Sequence, residues 1–299
     1  MLERILVPLD GSTLAESVLT QVRQLLMQKD SEVVLLRVVP HPPSSEADTL
    51  EPMEMLRASA SEYLRTIEEG LSSQGARVRC RVAEGFSAGV ILETAKSENA
   101  TLIAMSTHGR TGLSRWVFGS VTEKVLRASP VPVLAVPSFV ERGGDVSPTG
   151  ARELAFRRIV LPIAAADRSL EAVPAVLELA PLFGAQVFLV HVCEGTGCSV
   201  QVPQMREAYD LLHEAGISAE PLMKQGDPAT QILDTSRDAG ADLIAMTTHG
   251  HSGISRWVLG SVAEKVLRAA RVPILVVRTA KRARVTEPAT EAVEFHSDP

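Results

Sequence analysis

The sequence predicts an α/β protein of two tandem doubly wound domains, each a five-stranded, mostly parallel sheet with helices on both faces. Its 299 residues suit two domains of ordinary size. A long segment of the first half recurs in the second half. Short β-branched runs alternate with helical patterns, which favours parallel strands joined by right-handed crossovers.

The repeat shows that one unit is written twice. Residues 102–136 align without gaps with residues 243–277, and 25 of these 35 positions are identical. The segment that begins at Arg4 aligns with the one that begins at Arg158 at a larger offset. The second copy is therefore shorter by 13 residues between its second and third strands.

The domain boundaries follow from this repeat and from composition. We predict a first domain over residues 1–137 and a glycine-bearing linker over 138–155. A second domain over 156–278 is followed by a tail, 279–299, that we expect to be disordered, since it carries many charges and few apolar residues.

In the first half, four of the five predicted strands are almost continuously apolar, as expected when helices cover both faces. The predicted strands are Ile5–Leu9, Val33–Val39, Arg77–Val82, Leu102–Met105 and Val131–Val136.

Helical patterns lie between these strands. Apolar side chains within residues 14–26 recur at helical spacing on one face. We predict further helices over Glu51–Ser73 and Ser87–Glu98. A capping box, Ser120-Val121-Thr122-Glu123, predicts the start of a fourth helix.

Composition excludes several classes of protein. The net charge of −6 and only 11 aromatic residues argue against binding to nucleic acid. No apolar run approaches the ~20 residues that span a membrane. The first residues show no signal-peptide pattern, so we expect a reducing cytoplasm. We expect Cys193 and Cys198 to pack as small apolar residues, because three cysteines do not make a disulfide framework.

Two segments should meet where the strand order of the first half reverses. One is Pro8–Ser12, after the first strand, and the other runs from Ser106 through the glycines 109, 112 and 119. Glycines beside a helix N-terminus can hold a phosphate. Neither a P-loop nor a G-x-G-x-x-G fingerprint is present. Helix capping by Ser120 and by Asp10 remains an alternative role.

These segments resemble the universal stress protein family. The first strand ends Ile-Leu-Val-Pro-Leu-Asp-Gly-Ser, a His-Gly is followed by Gly-x9-Gly-Ser, and the last strand reads Val-Pro-Val-Leu-Ala-Val. The resemblance covers both predicted domains and implies a Rossmann-like, ATP-binding regulatory protein of the stress response. Magnesium or manganese would accompany the triphosphate, whose charge needs neutralising.

The resemblance also implies the binding residues. Adenine and ribose would lie by Pro8, Leu9, Asp10 and Val38. The glycine turn and the phosphates would be bound by Met105, Ser106, His108, Gly109, Gly119, Ser120, Val121 and Thr122. The matching positions of the second half are Pro162, Ile163, Val192, Met246, Thr247, His249, Gly250, Gly260, Ser261 and Val262.

Ser106 and Thr247 depart from the family motif, which has its first glycine at this position. If the backbone here must approach the nucleotide closely, a side chain weakens binding. If the backbone is simply extended, a small hydroxyl residue fits. The sequence leaves both possibilities open.

The two sites should bind unequally. Ala164 stands in the second half where the first has Asp10, and Ala263 where the first has Thr122. We expect the hydroxyls of Ser120 and Thr122 to add to the amide donors for phosphate. The first half should therefore bind ATP more tightly.

Two other functions remain open, a slow ATPase and a nucleotide-free interaction or scaffold module. His108 and His249 have no partner at catalytic spacing, so we expect them to shape the loop or to lie on the ribose side of the site. By resemblance to the family's dimer contact, the final strands of the two halves should pair within the chain as a pseudo-dimer. A homodimer is a further possibility.

Overall fold

The fold is described from a computed structural model. The structure describes residues 1–40, 50–73, 75–107, 119–140, 146–148, 155–165, 167–193, 202–248 and 259–278.

Strands in both halves follow the predicted pattern. Those of the first half are β1 (Arg4–Pro8), β2 (Glu32–Val39), β3 (Arg77–Glu84), β4 (Leu102–Ser106) and β5 (Val133–Val136). Two short strands come next, β6 (Ser138–Val140) and β7 (Val146–Pro148). The second half contributes β8 (Arg158–Pro162), β9 (Gln186–Cys193), β10 (Ala219–Gln225), β11 (Leu243–Thr247) and β12 (Ile274–Val277).

Helices connect these strands. The first half has α1 (Thr13–Glu16), α2 (Leu19–Gln28), α3 (Leu50–Ser72), α4 (Ser87–Ser97) and α5 (Ser120–Ala128). The second half has a 3₁₀ turn (Asp167–Ala172), α6 (Val173–Phe183), α7 (Pro203–Glu214), α8 (Pro228–Asp238) and α9 (Ser261–Ala269). The first apolar stripe is thus divided into two helices. At the break, the Ser17 hydroxyl donates to the carbonyl of Leu14 at 2.7 Å, a bond that competes with regular helix.

One ten-stranded sheet joins the two halves, in the order β10-β9-β8-β11-β12-β5-β4-β1-β2-β3. Strands β5 and β12 pair antiparallel, with Leu134 opposite Leu275. The other neighbouring pairs of this sheet are parallel. The expected pairing of the final strands is therefore present within the chain, and it covers the edge that each half would otherwise expose.

Two apolar layers cover the sheet. Helices α1, α2, α3, α6 and α7 pack on one face, and their core continues from the first half into the second. Helices α4, α5, α8 and α9 pack on the other face. The predicted arrangement of helices on both faces is confirmed, and it explains why the central strands are apolar on both sides.

The segment predicted as a linker contains secondary structure. Strands β6 and β7 pair antiparallel as a separate two-stranded sheet, with Ser138 opposite Pro148. In the sequence, the apolar pair Phe139-Val140 precedes a pair of glycines, a pattern typical of a strand followed by a turn.

Glu178 on α6 connects the two halves on the sheet face that α2 and α6 cover. Its carboxylate accepts hydrogen bonds from the Lys29 ammonium at 2.9 Å and from the Leu2 amide at 3.2 Å. It also pairs with the amino group of Met1. The partners lie more than a hundred residues away in sequence, so this contact fixes α6 against the start of the first half.

The cysteines differ from expectation. Cys193 is buried and disulfide-bonded, so the prediction that it packs as a free apolar residue was wrong. A count of three cysteines argues against a disulfide framework but does not exclude a single bond, which is why the prediction failed at Cys193. Cys198 lies outside the described residues, and Cys80 on β3 is free.

Across the described residues, no helix has both the length and the apolar content needed to cross a membrane.

Candidate functional site

The strand order of the first half reverses at β1. This strand pairs with β2 on one side and with β4 on the other. The residues after Pro8 and after Ser106 therefore leave the same edge of the sheet on either side of this point. In open α/β sheets, such a crevice beyond the carboxyl ends of the strands is the usual ligand site.

At the end of β1, Asp10 is held by Ser12. The Leu9 amide continues the strand ladder to the Leu36 carbonyl at 2.8 Å. Asp10 Oδ1 accepts from the Ser12 amide at 2.9 Å and from the Ser12 hydroxyl at 2.5 Å. Ser12 Oγ in turn accepts from the Ala15 amide at 3.1 Å and caps α1. The cap is thus Ser12 and not Asp10, whose carboxylate is held by Ser12 just beyond the end of β1.

A group that the sequence did not indicate supports this end of the strand. Arg37 on β2 donates from Nη1 to the Leu9 carbonyl at 3.2 Å, and its Cζ lies 5.9 Å from the centre of the Tyr63 ring. The Tyr63 hydroxyl donates to Glu16 at 2.9 Å. Burial, and then the Glu16 carboxylate, raises the pKa of Tyr63, so it stays a neutral donor. Val38 follows Arg37 and is half-buried.

At the end of β4, Ser106 is turned inward. It is the last residue of an extended strand and is only 6% exposed. Its hydroxyl lies 2.7 Å from the hydroxyl of Ser138, which is also buried. Of the two possibilities for this position, the geometry fits extended backbone with a small hydroxyl side chain. Met105, one residue earlier, is part of the core.

Helix α5 begins beside this strand end, but not as the sequence predicts. Gly119 is its N-cap, with φ −58° and ψ 130°, and has no side-chain cap. The capping box predicted at Ser120 is therefore wrong, because Ser120 already lies inside the helix. Glu123 does not reach back to the cap and pairs with Arg127 at 2.7 Å instead. The Gly119 amide donates to the Thr107 carbonyl at 3.0 Å, which fixes the start of the helix.

Thr122 has a structural role. Its hydroxyl donates to the Ser106 carbonyl at 3.0 Å, and the residue is 4% exposed. The expectation that this hydroxyl binds phosphate was wrong, because burial turns it toward β4. Ser120 is exposed and Val121 is half-buried, so the start of the helix is open to solvent.

The second half repeats the same backbone frame. The Ile163 amide donates to the Val190 carbonyl at 2.8 Å, as Leu9 does to Leu36. Gly260 caps α9 without a side-chain bond, and its amide donates to the Thr248 carbonyl at 2.9 Å. Residues that occupy the expected strand and helix ends are Pro162, Val192, Met246, Thr247, Ser261 and Val262.

The side chains at the matching strand ends of the second half differ. Ala164 provides no carboxylate, and its carbonyl accepts from the Ser169 hydroxyl at 2.9 Å. His191 takes the place of Arg37, and its Nδ1 lies 2.8 Å from the Ile163 carbonyl. The two halves thus support the same carbonyl with different side chains. An alignment of the halves would have shown this pair of positions, although the bond itself is not visible in the sequence.

Several predicted residues lie outside the described residues. These are His108, Gly109, His249 and Gly250. Within the part of the chain that the structure describes, no group of three or more His, Cys, Asp or Glu side chains could hold a metal ion.

Known proteins similar to this chain share both its sequence pattern and its fold. The sequence model described as Universal stress protein family matches residues 1–137 and 155–278. Universal stress protein MJ0531 of Methanocaldococcus jannaschii is 32% identical over 144 residues, which cover 42% of this chain and 85% of the relative.

Solved structures resemble the whole chain or one half of it. A universal stress protein from Archaeoglobus fulgidus, 21% identical, matches 93% of this chain and 98% of its own with a TM-score of 0.75. This likeness concerns the fold. A universal stress protein in complex with cAMP is 26% identical and covers 42% of this chain and 99% of its own, with a TM-score of 0.37.

Proposed function

The chain belongs to the universal stress protein family, and from this premise we propose that it is a regulatory stress-response protein whose first half binds ATP. The nucleotide would lie across the carboxyl ends of β1 and β4. The observation that carries this proposal is the start of α5, where Gly119 caps the helix without a side-chain bond. This helix end is bonded to the carboxyl end of β4, the strand that pairs with β1 where the strand order reverses.

The phosphate end is built from backbone. The first amides of a helix lack partners within the helix and lie at the positive end of its dipole. At α5 these belong to Ser120, Val121 and Thr122. No side chain of the N-cap competes for them, and the Gly119–Thr107 bond keeps the helix start in place. Such a group of amides binds an anion without a charged side chain.

The ribose end is built from Asp10. Its two hydrogen bonds from Ser12 fix the orientation of the carboxylate before a ligand arrives. A carboxylate accepts hydrogen bonds from the hydroxyls of a sugar, and bonds to a charged group contribute about 1.5–3 kcal/mol. Asp10 therefore supports both affinity and the choice of a nucleotide over inorganic phosphate.

The second half would bind more weakly. It keeps the glycine start of α9 but has Ala164 in place of Asp10. Loss of one bond to a charged group corresponds to about a tenfold to hundredfold weaker affinity. Thr122 also contributes to this difference in affinity. Its hydroxyl supports the start of α5, and the second half has Ala263 at the matching position.

The metal ion would be held mainly by the nucleotide. Mg²⁺ keeps several waters and commonly binds one or two carboxylates together with phosphates. Mg²⁺ or Mn²⁺ would neutralise part of the triphosphate charge at the helix end. The experiment described next distinguishes ATP binding without hydrolysis from ATP binding with slow hydrolysis.

The test begins with mass spectrometry of the freshly purified, denatured protein and continues with calorimetry of ATP, ADP and cAMP in the presence of Mg²⁺. We expect ATP to bind with at least tenfold preference for one site. Asp10→Ala should weaken that site by about tenfold to a hundredfold. Ala164→Asp should tighten the weaker site, and Asp238→Ala, on an exposed part of α8, should change neither.

Other results would favour a different function for the chain. Retention of ADP together with release of phosphate would indicate a slow ATPase. No binding of any adenine nucleotide at millimolar concentration would overturn the proposal and favour an interaction module. An unchanged isotherm for Asp10→Ala would remove Asp10 from the site.

A further inference from the structure

A second cavity lies at the opposite edge of the first half, below the amino ends of β2 and β3. It has a volume of about 50 Å³. Strands of eight residues at about 3.3 Å per residue separate this edge from the proposed nucleotide site by about 25 Å. Its lining residues are Arg23, Leu26, Met27, Lys29, Asp30, Ser31, Leu71, Gly75 and Ala76.

Ser31 is the buried polar residue of this cavity. It is 2% exposed, and its hydroxyl has no hydrogen-bond partner. A buried hydroxyl without a partner is unfavourable, and natural structures seldom keep one without a reason such as a water or a ligand. A hydroxyl hydrogen also rotates freely to suit the partner that arrives.

The charges around the cavity favour an anion. Arg23 is an exposed lining residue and forms no ion pair with the described residues. Lys29 pairs with Glu178 at 2.9 Å, but an ammonium group has two further donors. The single acidic lining residue is Asp30. It pairs with Arg77 at 3.1 Å, and this pair offsets the repulsion between Asp30 and a bound anion.

The second half lacks this site. Residues 9–39 align without gaps with residues 163–193. At the four polar lining positions, taken in the order Arg23, Lys29, Asp30 and Ser31, the second half has Leu177, Phe183, Gly184 and Ala185. Phe183 there packs edge to face on Phe156 at 5.3 Å. The same backbone can therefore be filled with apolar side chains, so the polar set is not required by the fold.

We propose that this cavity binds a small tetrahedral oxyanion of the phosphate or sulfate type. A cavity needs roughly 10–15 Å³ to hold one water molecule, so this cavity has room for about four water-sized groups. A tetrahedral oxyanion has four oxygen atoms. Arg23 and Lys29 provide the positive charge, and the buried Ser31 hydroxyl provides a neutral donor. Lys29 also pairs with Glu178, so an anion bound in the cavity would affect this contact between the two halves.

The experiment titrates inorganic phosphate into the ¹⁵N-labelled full chain and follows the backbone amides by NMR. Sodium chloride of equal ionic strength is the reference titration, and sulfate is the second probe. We expect saturable shifts at Lys29, Asp30, Ser31, Gly75 and Ala76 that chloride does not produce. Saturable shifts confined to Ser120–Thr122, or linear shifts at all amides, would overturn the proposal.

Substitutions taken from the second half give the matched variants. Arg23→Leu and Ser31→Ala should each weaken phosphate binding at least tenfold. Ser31→Ala should leave the melting temperature unchanged or higher, because it removes a hydroxyl without a partner. Asp30→Asn should tighten binding severalfold, a gain that misfolding cannot mimic. Unchanged affinity in both Arg23→Leu and Ser31→Ala would show that phosphate binds outside the cavity and would overturn the proposal.

Discussion

The Thr122 hydroxyl donates to the carbonyl oxygen of Ser106 at 3.0 Å and so connects the first turn of α5 to the last residue of β4. At the next residue, the Thr107 carbonyl accepts a hydrogen bond from the Gly119 amide at 3.0 Å. The two bonds hold the helix start against the strand end from both sides. The proposed phosphate-binding amides therefore have a fixed position before any ligand binds.

Removal of the Thr122 hydroxyl should loosen this junction. Thr122→Val keeps the shape of the side chain but leaves the buried Ser106 carbonyl without this bond. We expect a loss of about 1–2 kcal/mol in the free energy of unfolding, measured by urea titration. ATP affinity should fall by less than in Asp10→Ala, because the side chain of Thr122 points to the Ser106 carbonyl and only its backbone amide would face the ligand. Thr122→Ser retains the hydroxyl and should keep most of both quantities.

Arg37 should be replaceable by the residue that the second half uses. Arg37→Ala removes the bond to the Leu9 carbonyl and should lower stability by about 1 kcal/mol and weaken ATP binding at the first site. Arg37→His should preserve both, since His191 makes the same contact at 2.8 Å. Urea titration and calorimetry measure the two effects. Equal behaviour of the alanine and histidine variants would show that the contact is unimportant.

Sequence patterns predicted most of the sheet because its strands are buried on both faces. The runs Val33–Val39 and Leu102–Met105 can be recognised without any tertiary information, and the repeat supplies the second half. The reversal of strand order follows from the doubly wound α/β pattern, and the structure has it at β1. Burial and chain topology thus determine where the candidate site lies.

Side-chain direction was harder to predict. Ser120 and Glu123 have the spacing of a capping box, yet Gly119 takes the cap because its own backbone bond to Thr107 starts the helix one residue earlier. The inward turn of Ser106 depends on Ser138, which is 32 residues away. Such contacts depend on tertiary packing, and local patterns carry no signal for them.

Cys80 should react slowly despite its exposure. Desolvation of the thiol and the Glu68 carboxylate at 3.4 Å from Sγ raise the pKa of Cys80 to about 12. At pH 8 the thiolate fraction is then about a thousandfold below that of an ordinary cysteine. Peptide-resolved alkylation with iodoacetamide should show this delay relative to the urea-unfolded chain. Glu68→Gln should accelerate the reaction, and a folded-state rate equal to the unfolded one would contradict the raised pKa.

Glu178 should make the contact between the halves sensitive to acid. Burial alone would raise its pKa, but hydrogen bonds from the Met1 amino group, Lys29 and the Leu2 amide lower the pKa to about 2. A carboxyl whose pKa is lower in the folded state stabilises that state at every pH above its unfolded value, about 4.5. This contribution is lost as the pH falls from about 4.5 toward 2.

The variant Glu178→Gln isolates this contribution. At pH 7 we expect a loss of about 1–2 kcal/mol in unfolding free energy, less than the full pKa shift implies because the side chain is partly exposed to solvent. The difference from wild type should stay constant from pH 7 to 5 and shrink between about pH 4.5 and 2. A double-mutant cycle with Lys29→Met measures the pair, and additive effects would show that Lys29 and Glu178 do not couple across the halves.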